Sequence, residues 1–199
     1  MHPISTFERQ PQTSSAYASF SHTLTGRIVL AVAASLFVAL CAHVSVPLPF
    51  TPVPLTLSNM AVVLVGLVLG PELAFAALLL YLAEGASGMP VFNPTGPGGI
   101  AQLLGPTGGY LFSYPLAAAL AGFAMHQLKG LRSRFAAATI AAAGGTALVL
   151  LCGVTWLAVE LHLSAGQAFV AGAMPFLPGE IVKVLAAAGI ATALVRSRS

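Results

Sequence analysis

Aspartate is absent from this sequence, and charge of either sign is scarce: five acidic and eight basic side chains in 199 residues, seven per cent in all. Soluble domains carry about 25% charged residues, so this chain has too little polar surface to face water on every side. Its formal charge of +3 is spread too thinly for a nucleic-acid footprint, which needs Lys and Arg clustered on one face. Cysteine is rarer still. The two that occur, Cys41 and Cys152, lie inside apolar runs with no disulfide framework or metal spacing, and are expected to be packed thiols. Catalytic signatures are missing as well: no phosphate-binding loop, no Ser/His/Asp pattern, no paired acids and no His/Glu cluster. His43, His126 and His162 lack metal-ligand spacing. No enzyme is expected, and any energy for pumping has to come from elsewhere.

What the chain has in abundance is apolar length, 57% of its residues. Its size makes one compact unit rather than several domains. Residues 1–26 are polar, rich in Ser, Thr, Gln and His, and are expected to form a disordered cytoplasmic tail with no signal-peptide core. Residues 27–199 are expected to form a transmembrane domain. Apolar runs at 28–46, 111–128 and 135–159 have the length a membrane helix needs, about 20 residues. A further run at 181–195 follows Pro178, well suited to a first helical turn. Residues 55–86 read either as one long helix or as two short ones, about 55–69 and 72–85, broken at Gly70-Pro71-Glu72.

Basic residues decide between these. Outside the last run they fall at Arg9 and Arg27, at Lys129, Arg132 and Arg134, and at Arg196 and Arg198. Cytoplasmic loops collect Lys and Arg. Two short helices put all seven on that side; one long helix breaks the bias. The expected fold is therefore all-α, with six transmembrane helices and both termini cytoplasmic. The short second and third helices fit by little tilt or local bilayer thinning. The outer connections, 47–55, 86–109 and 160–177, contain no Lys or Arg but most of the proline.

These connections and the last run hold the informative residues. Val46-Pro47-Leu48-Pro49-Phe50-Thr51-Pro52-Val53-Pro54 is stiff and extended because proline fixes φ and removes donors. It reads as an interfacial connector or as a lid over a pocket. The segment from Gly85 to Gly99 is rich in Gly and Pro; irregular backbone at membrane depth persists only under cover of protein or beside a cavity. Glu180 and Lys183 lie three residues apart and share a helix face, with Glu180 in the turn where the dipole favours a carboxylate. Lys183 sits about 18 Å from the inner end of its run. Ionisable groups at such depth face the bundle interior or a cavity, so the pair is either a helix-tying bridge or a polar ligand platform. Glu84, Glu160 and Trp156 read as interfacial. Ala31, Ser35 and Ala39 step by four along the first run; such a strip admits a close helix, from within the chain or from a partner protein.

Pro49-Phe50-Thr51-Pro52-Val53-Pro54-Leu55-Thr56-Leu57, Gly88-Met89-Pro90-Val91-Phe92 and Gly105-Pro106-Thr107-Gly108-Gly109-Tyr110-Leu111, in this order, resemble the BioY family, the biotin-transporter S components of energy-coupling factor (ECF) transporters. The resemblance runs from about residue 28 to 195. It implies a six-helix S-component fold that binds biotin near the outer face of the inner membrane. It also implies assembly with a transmembrane T component and two ATPase subunits. Biotin carries a ureido group, an apolar bicycle and a carboxylate. Glu180 is then expected to accept from the ureido N–H groups, and Lys183 to meet its carbonyl or the carboxylate. Asn93, Gln102, Tyr110 and Thr56 would add polar contacts, with Phe92 and the proline-rich loop covering apolar surface. The family pattern has Asp where this chain has Glu180, one methylene longer, and an Ala-rich strip where Ser35 stands. Ala31, Ser35 and Ala39 are expected to dock the energising module. No cofactor or metal is expected. The competing readings are a self-sufficient secondary transporter or channel, in which inverted repeats and a chain of intramembrane charges are common; a membrane-embedded enzyme; and an S component for another vitamin.

Overall fold

The computed structural model describes residues 23–196. The expected tail therefore lies outside the described residues over positions 1–22. Its last residues are already helical: α1 is Leu24–His43, and the Thr23 hydroxyl caps it by accepting from the Gly26 N–H at 3.0 Å.

The first apolar run stays helical only to His43. Ser45–Val46 (β1) instead pairs antiparallel with Leu55–Thr56 (β2), Ser45 opposite Thr56 and Val46 opposite Leu55. Pro47 explains the switch, because a residue before proline is pushed out of the α region. The ribbon staples the two ends of the proline-rich segment into a loop, and the second helix, expected from about 55, begins at Ser58.

Helix α2 is Ser58–Leu69 and α3 is Pro71–Ala86. The expected break falls where the sequence placed it: Gly70 takes φ +80, open to glycine at little cost, and Pro71 starts α3 in its favoured first-turn position. The third connection contains a one-and-a-half-turn helix, α4 (Gly99–Leu104). Helix α5 (Gly108–Gln127) starts earlier than its apolar run and carries Pro115 internally. A 3-10 turn, Leu128–Gly130, leads to α6 (Arg134–Glu160), which Ser133 caps. Then come α7 (Ala165–Gly172), with a reciprocal Ser164/Gln167 capping box, and α8 (Leu177–Arg196).

Among the described residues four helices are long and apolar enough to cross a membrane: Leu24–His43, Gly108–Gly130, Arg134–Glu160 and Leu177–Leu194. Helix α5 is the hub, packed against α2, α3 and α6. Backbones meet closely there: a Cβ on Gly122 would stand 2.7 Å from the Pro71 nitrogen and 2.8 Å from the Gly66 carbonyl oxygen. Side chains such as Leu78, Tyr81, Val62 and Leu157 fill the interior, while Ile28, Leu36, Leu40, Leu151 and Val182 are exposed, the outward apolar surface a lipid-facing bundle presents.

The strip Ala31, Ser35 and Ala39 turns toward the bundle along most of its length. Ser35 and Ala39 are buried and Ala31 packs against the core. Ser35 donates a hydrogen bond to Glu84 of α3, and α1 lies along α3. Small residues let these two helices of the same chain approach. Glu84 is thereby an interhelical acceptor rather than a free interfacial carboxylate.

A candidate ligand-binding pocket

At the end of the bundle where residues 45–57, 87–107 and 161–176 converge, a cavity of about 520 Å³, mouth included, opens between α2, α3, α5 and α8. Its polar floor is built by the first turns of α8 and α2. Pro178 sits in the first turn of α8, and Glu180 and Lys183, three residues apart and so one turn apart, both point inward: Glu180 is 4% and Lys183 7% exposed. Lys183 Nζ donates to Glu180 Oε1 at 2.7 Å. Asn59, the second residue of α2, donates from Nδ2 to the same oxygen at 3.2 Å, and its Oδ1 accepts from Tyr114 Oη at 3.2 Å. Glu180 Oε2 is buried without a partner among the described residues. The carboxylate is thus tied down on one side and open on the other, and such an oxygen demands a donor.

Aromatic rings wall the cavity. Tyr81 and Tyr114 stack with centroids 6.2 Å apart, and Tyr110, Phe176, Leu111 and Leu150 complete the apolar lining. Two of the tyrosine hydroxyls are committed elsewhere: Tyr81 donates to the Val91 carbonyl at 3.1 Å and Tyr110 to the Gly172 carbonyl at 2.7 Å. Tyr110, expected as a polar contact, therefore presents its ring. Thr56, beside Ser58 with their oxygens 2.8 Å apart, and Asn93 line the same cavity.

The proline-rich loop covers this site. Val53 and Pro54 line the cavity, and Thr51 anchors the loop, its hydroxyl donating to the Ala171 carbonyl at 2.8 Å and accepting from the Val53 N–H. Two expected contacts are not in the lining. Phe92 is buried behind it, edge-on to Tyr81 at 5.4 Å and seated on Gly85, where any Cβ would collide with its ring. Its place is in the wall's support. Gln102 lines a neighbouring cavity beneath the third connection. Asn59, Ser58, Tyr81, Tyr114 and Phe176 line the cavity without being expected from the sequence. The available signal was Asn59, an amide at the head of an apolar helix, together with the placement of three of the chain's four tyrosines within or beside apolar runs.

The family model described as "BioY family" matches residues 11–199. The chain is 41% identical over 163 residues to the protein named "Probable biotin transporter BioY" of Pyrococcus horikoshii, covering 80% of this chain and 92% of that one. It is 32% identical over 173 residues to "Biotin transporter BioY" of Rhizobium etli, covering 84% and 91%. The crystal structure of an S component for biotin from an ECF-type ABC transporter superposes with TM-score 0.79 at 26% identity, covering 86% of this chain and 92% of that one.

Proposed function

The chain belongs to the BioY family, and from that premise we propose that it is the biotin-binding S component of an ECF-type vitamin transporter. It is a membrane protein and a transport subunit, not an enzyme. The observation that carries the ligand assignment is the half-satisfied carboxylate of Glu180 at the bottom of an aromatic-walled pocket. A ureido ring offers N–H donors to the open oxygen and a carbonyl to the Lys183 ammonium, which keeps two further protons beyond the one given to Glu180. Asn59 holds the carboxylate in register. The rings of Tyr81, Tyr110 and Tyr114 pack against the apolar bicycle, and Thr56 and Asn93 stand at its edge.

Residues 27–199 form the membrane domain in this reading and 1–26 a cytoplasmic tail. Six spans follow when α2 and α3 are counted with the four long helices, and Lys129, Arg132, Arg134 and both termini then share the cytoplasmic side. The site faces the outside of the inner membrane. A T component and ATPase subunits supply the energy, since the chain has no phosphate-binding loop of its own.

Equilibrium binding of labelled biotin to the purified protein tests the assignment. Saturable one-site binding, displaced by unlabelled biotin and not by lipoate, an acid with no ureido group, is expected. A folded preparation that binds no biotin overturns it.

A further inference from the structure

The end of the bundle opposite the ligand pocket carries a notch of about 810 Å³, mouth included, lined by residues 69–73, by Arg27 of α1 and by His126 of α5. Helix lengths explain it. The α2–α3 turn meets α5 at Gly122, where an added Cβ would stand 2.7 Å from the Pro71 nitrogen. Helix α5 runs on to Gln127, about 7 Å further at 1.5 Å per residue, so the turn stops short of its neighbour. His126, one turn beyond Gly122, stands beside Gly70, a Cβ on which would lie 3.7 Å from the imidazole ring.

Two opposite charges line this notch without meeting. Arg27 and Glu72 are both exposed, and no ion pair joins them among the described residues. An apolar ridge leads to the same place. Leu116, Leu120 and Phe123 are exposed on one face of α5, spaced by four and three, and one further step reaches His126. Such a ridge on a membrane protein offers an acyl chain a track. Basic pockets between membrane helices bind phospholipid headgroups, and here the basic residue is accompanied by an acid. A headgroup with a phosphate and a primary ammonium answers both: the phosphate accepts from the Arg27 guanidinium, and the ammonium donates to Glu72. Phosphatidylcholine has no N–H to donate, and phosphatidylglycerol has no cation. We propose that the notch binds an ethanolamine phospholipid, with its headgroup between Arg27 and Glu72 and a chain along the Leu116, Leu120 and Phe123 ridge.

Native mass spectrometry of the full chain in detergent tests this. Titration with phosphatidylethanolamine, phosphatidylcholine or phosphatidylglycerol of identical acyl chains gives the dissociation constant of the first lipid bound. The parent is expected to hold phosphatidylethanolamine at least about threefold tighter than either of the others. Glu72→Gln should shrink that margin to less than about 1.5-fold, and Arg27→Gln should weaken all three lipids by about three- to tenfold. Equal affinities on the parent, an unchanged margin in Glu72→Gln or unchanged affinities in Arg27→Gln overturn the site. Thermal unfolding checks that the variants, altered at exposed positions, stay folded; if they do not, the selectivity of the parent decides alone. Phosphoethanolamine, the same headgroup without chains, should leave the lipid bound at about a hundredfold excess. Its displacement of the lipid would make the ligand a soluble zwitterion and overturn the lipid assignment. No biotin enters these measurements, so their outcome is independent of the ligand assigned to the pocket.

Discussion

Lys183 donates to one oxygen of Glu180 at 2.7 Å, while the other oxygen of the same carboxylate is buried with no partner among the described residues. A pair that only tied helices together would be expected to satisfy both oxygens, because a buried acceptor without a donor costs about 1–3 kcal/mol. The asymmetry is what a binding platform needs: one side of the carboxylate is fixed by Lys183 and Asn59, and the other is held ready.

Lys183→Ala follows from this directly. It removes the cation and leaves the buried Glu180 with Asn59 as its one remaining donor among the described residues. Loss of a charge-assisted bond is worth about 1.5–3 kcal/mol, so biotin affinity should fall roughly ten- to a hundredfold. Calorimetric or filter binding on the purified variant checks it. Parent-like affinity in a folded variant would reduce the pair to a structural bridge.

Asn59→Leu tests the part of the site that lies on α2. Leucine fills similar volume but gives Glu180 no donor and leaves the Tyr114 hydroxyl without its acceptor. About a tenfold loss of biotin affinity is expected, with α2 still folded because its apolar face is unchanged. Should thermal stability drop while the dissociation constant stays put, Asn59 serves packing and not the ligand.

Long apolar runs made the membrane helices legible, and Gly70-Pro71 located the turn between α2 and α3 to the residue. Glu180 and Lys183 were legible because ionisable groups are conspicuous among apolar neighbours and their spacing places them on one face. Asn59 and Tyr114 were not, since their meeting depends on how α2 and α5 cross, which no local pattern encodes. The β1–β2 ribbon escaped notice because two-residue strands are too short for an alternating pattern. Ser35 illustrates a deeper ambiguity. A strip of small residues says that some helix comes close, and only the packed structure reveals that the helix is the chain's own α3. Phe92 belongs with it: a motif can be read for its chemistry while the side chain is used to support the wall.

Ser35 therefore predicts stability before assembly. Ser35→Ala takes the hydroxyl from Glu84 and should lower stability by about 1–3 kcal/mol, read as a lower midpoint of thermal unfolding in detergent. Ser35→Trp, at a fully buried position, should wedge α1 from α3 and sharply reduce the yield of folded protein. If the tryptophan variant folds and binds biotin as the parent does, the inward packing of the strip is wrong.

Topology is tested at Gly130, in the short turn between α5 and α6. An added Cβ there meets nothing within 4 Å, and its φ is not in the left-handed region, so Gly130→Cys should be tolerated. The neighbouring Lys129, Arg132 and Arg134, which carry the cytoplasmic bias, remain untouched. With Cys41 and Cys152 replaced by serine, a membrane-impermeant maleimide should label this cysteine only after the cells are opened. Met89→Cys, at an exposed site in the third connection, should react in intact cells and serves as the opposite reporter. Six spans place these positions on opposite faces: 89 follows α3 and 130 follows α5, with one crossing between them. Labelling of Gly130→Cys from outside would put the basic cluster on the wrong side and require α2 and α3 to be counted as a single crossing.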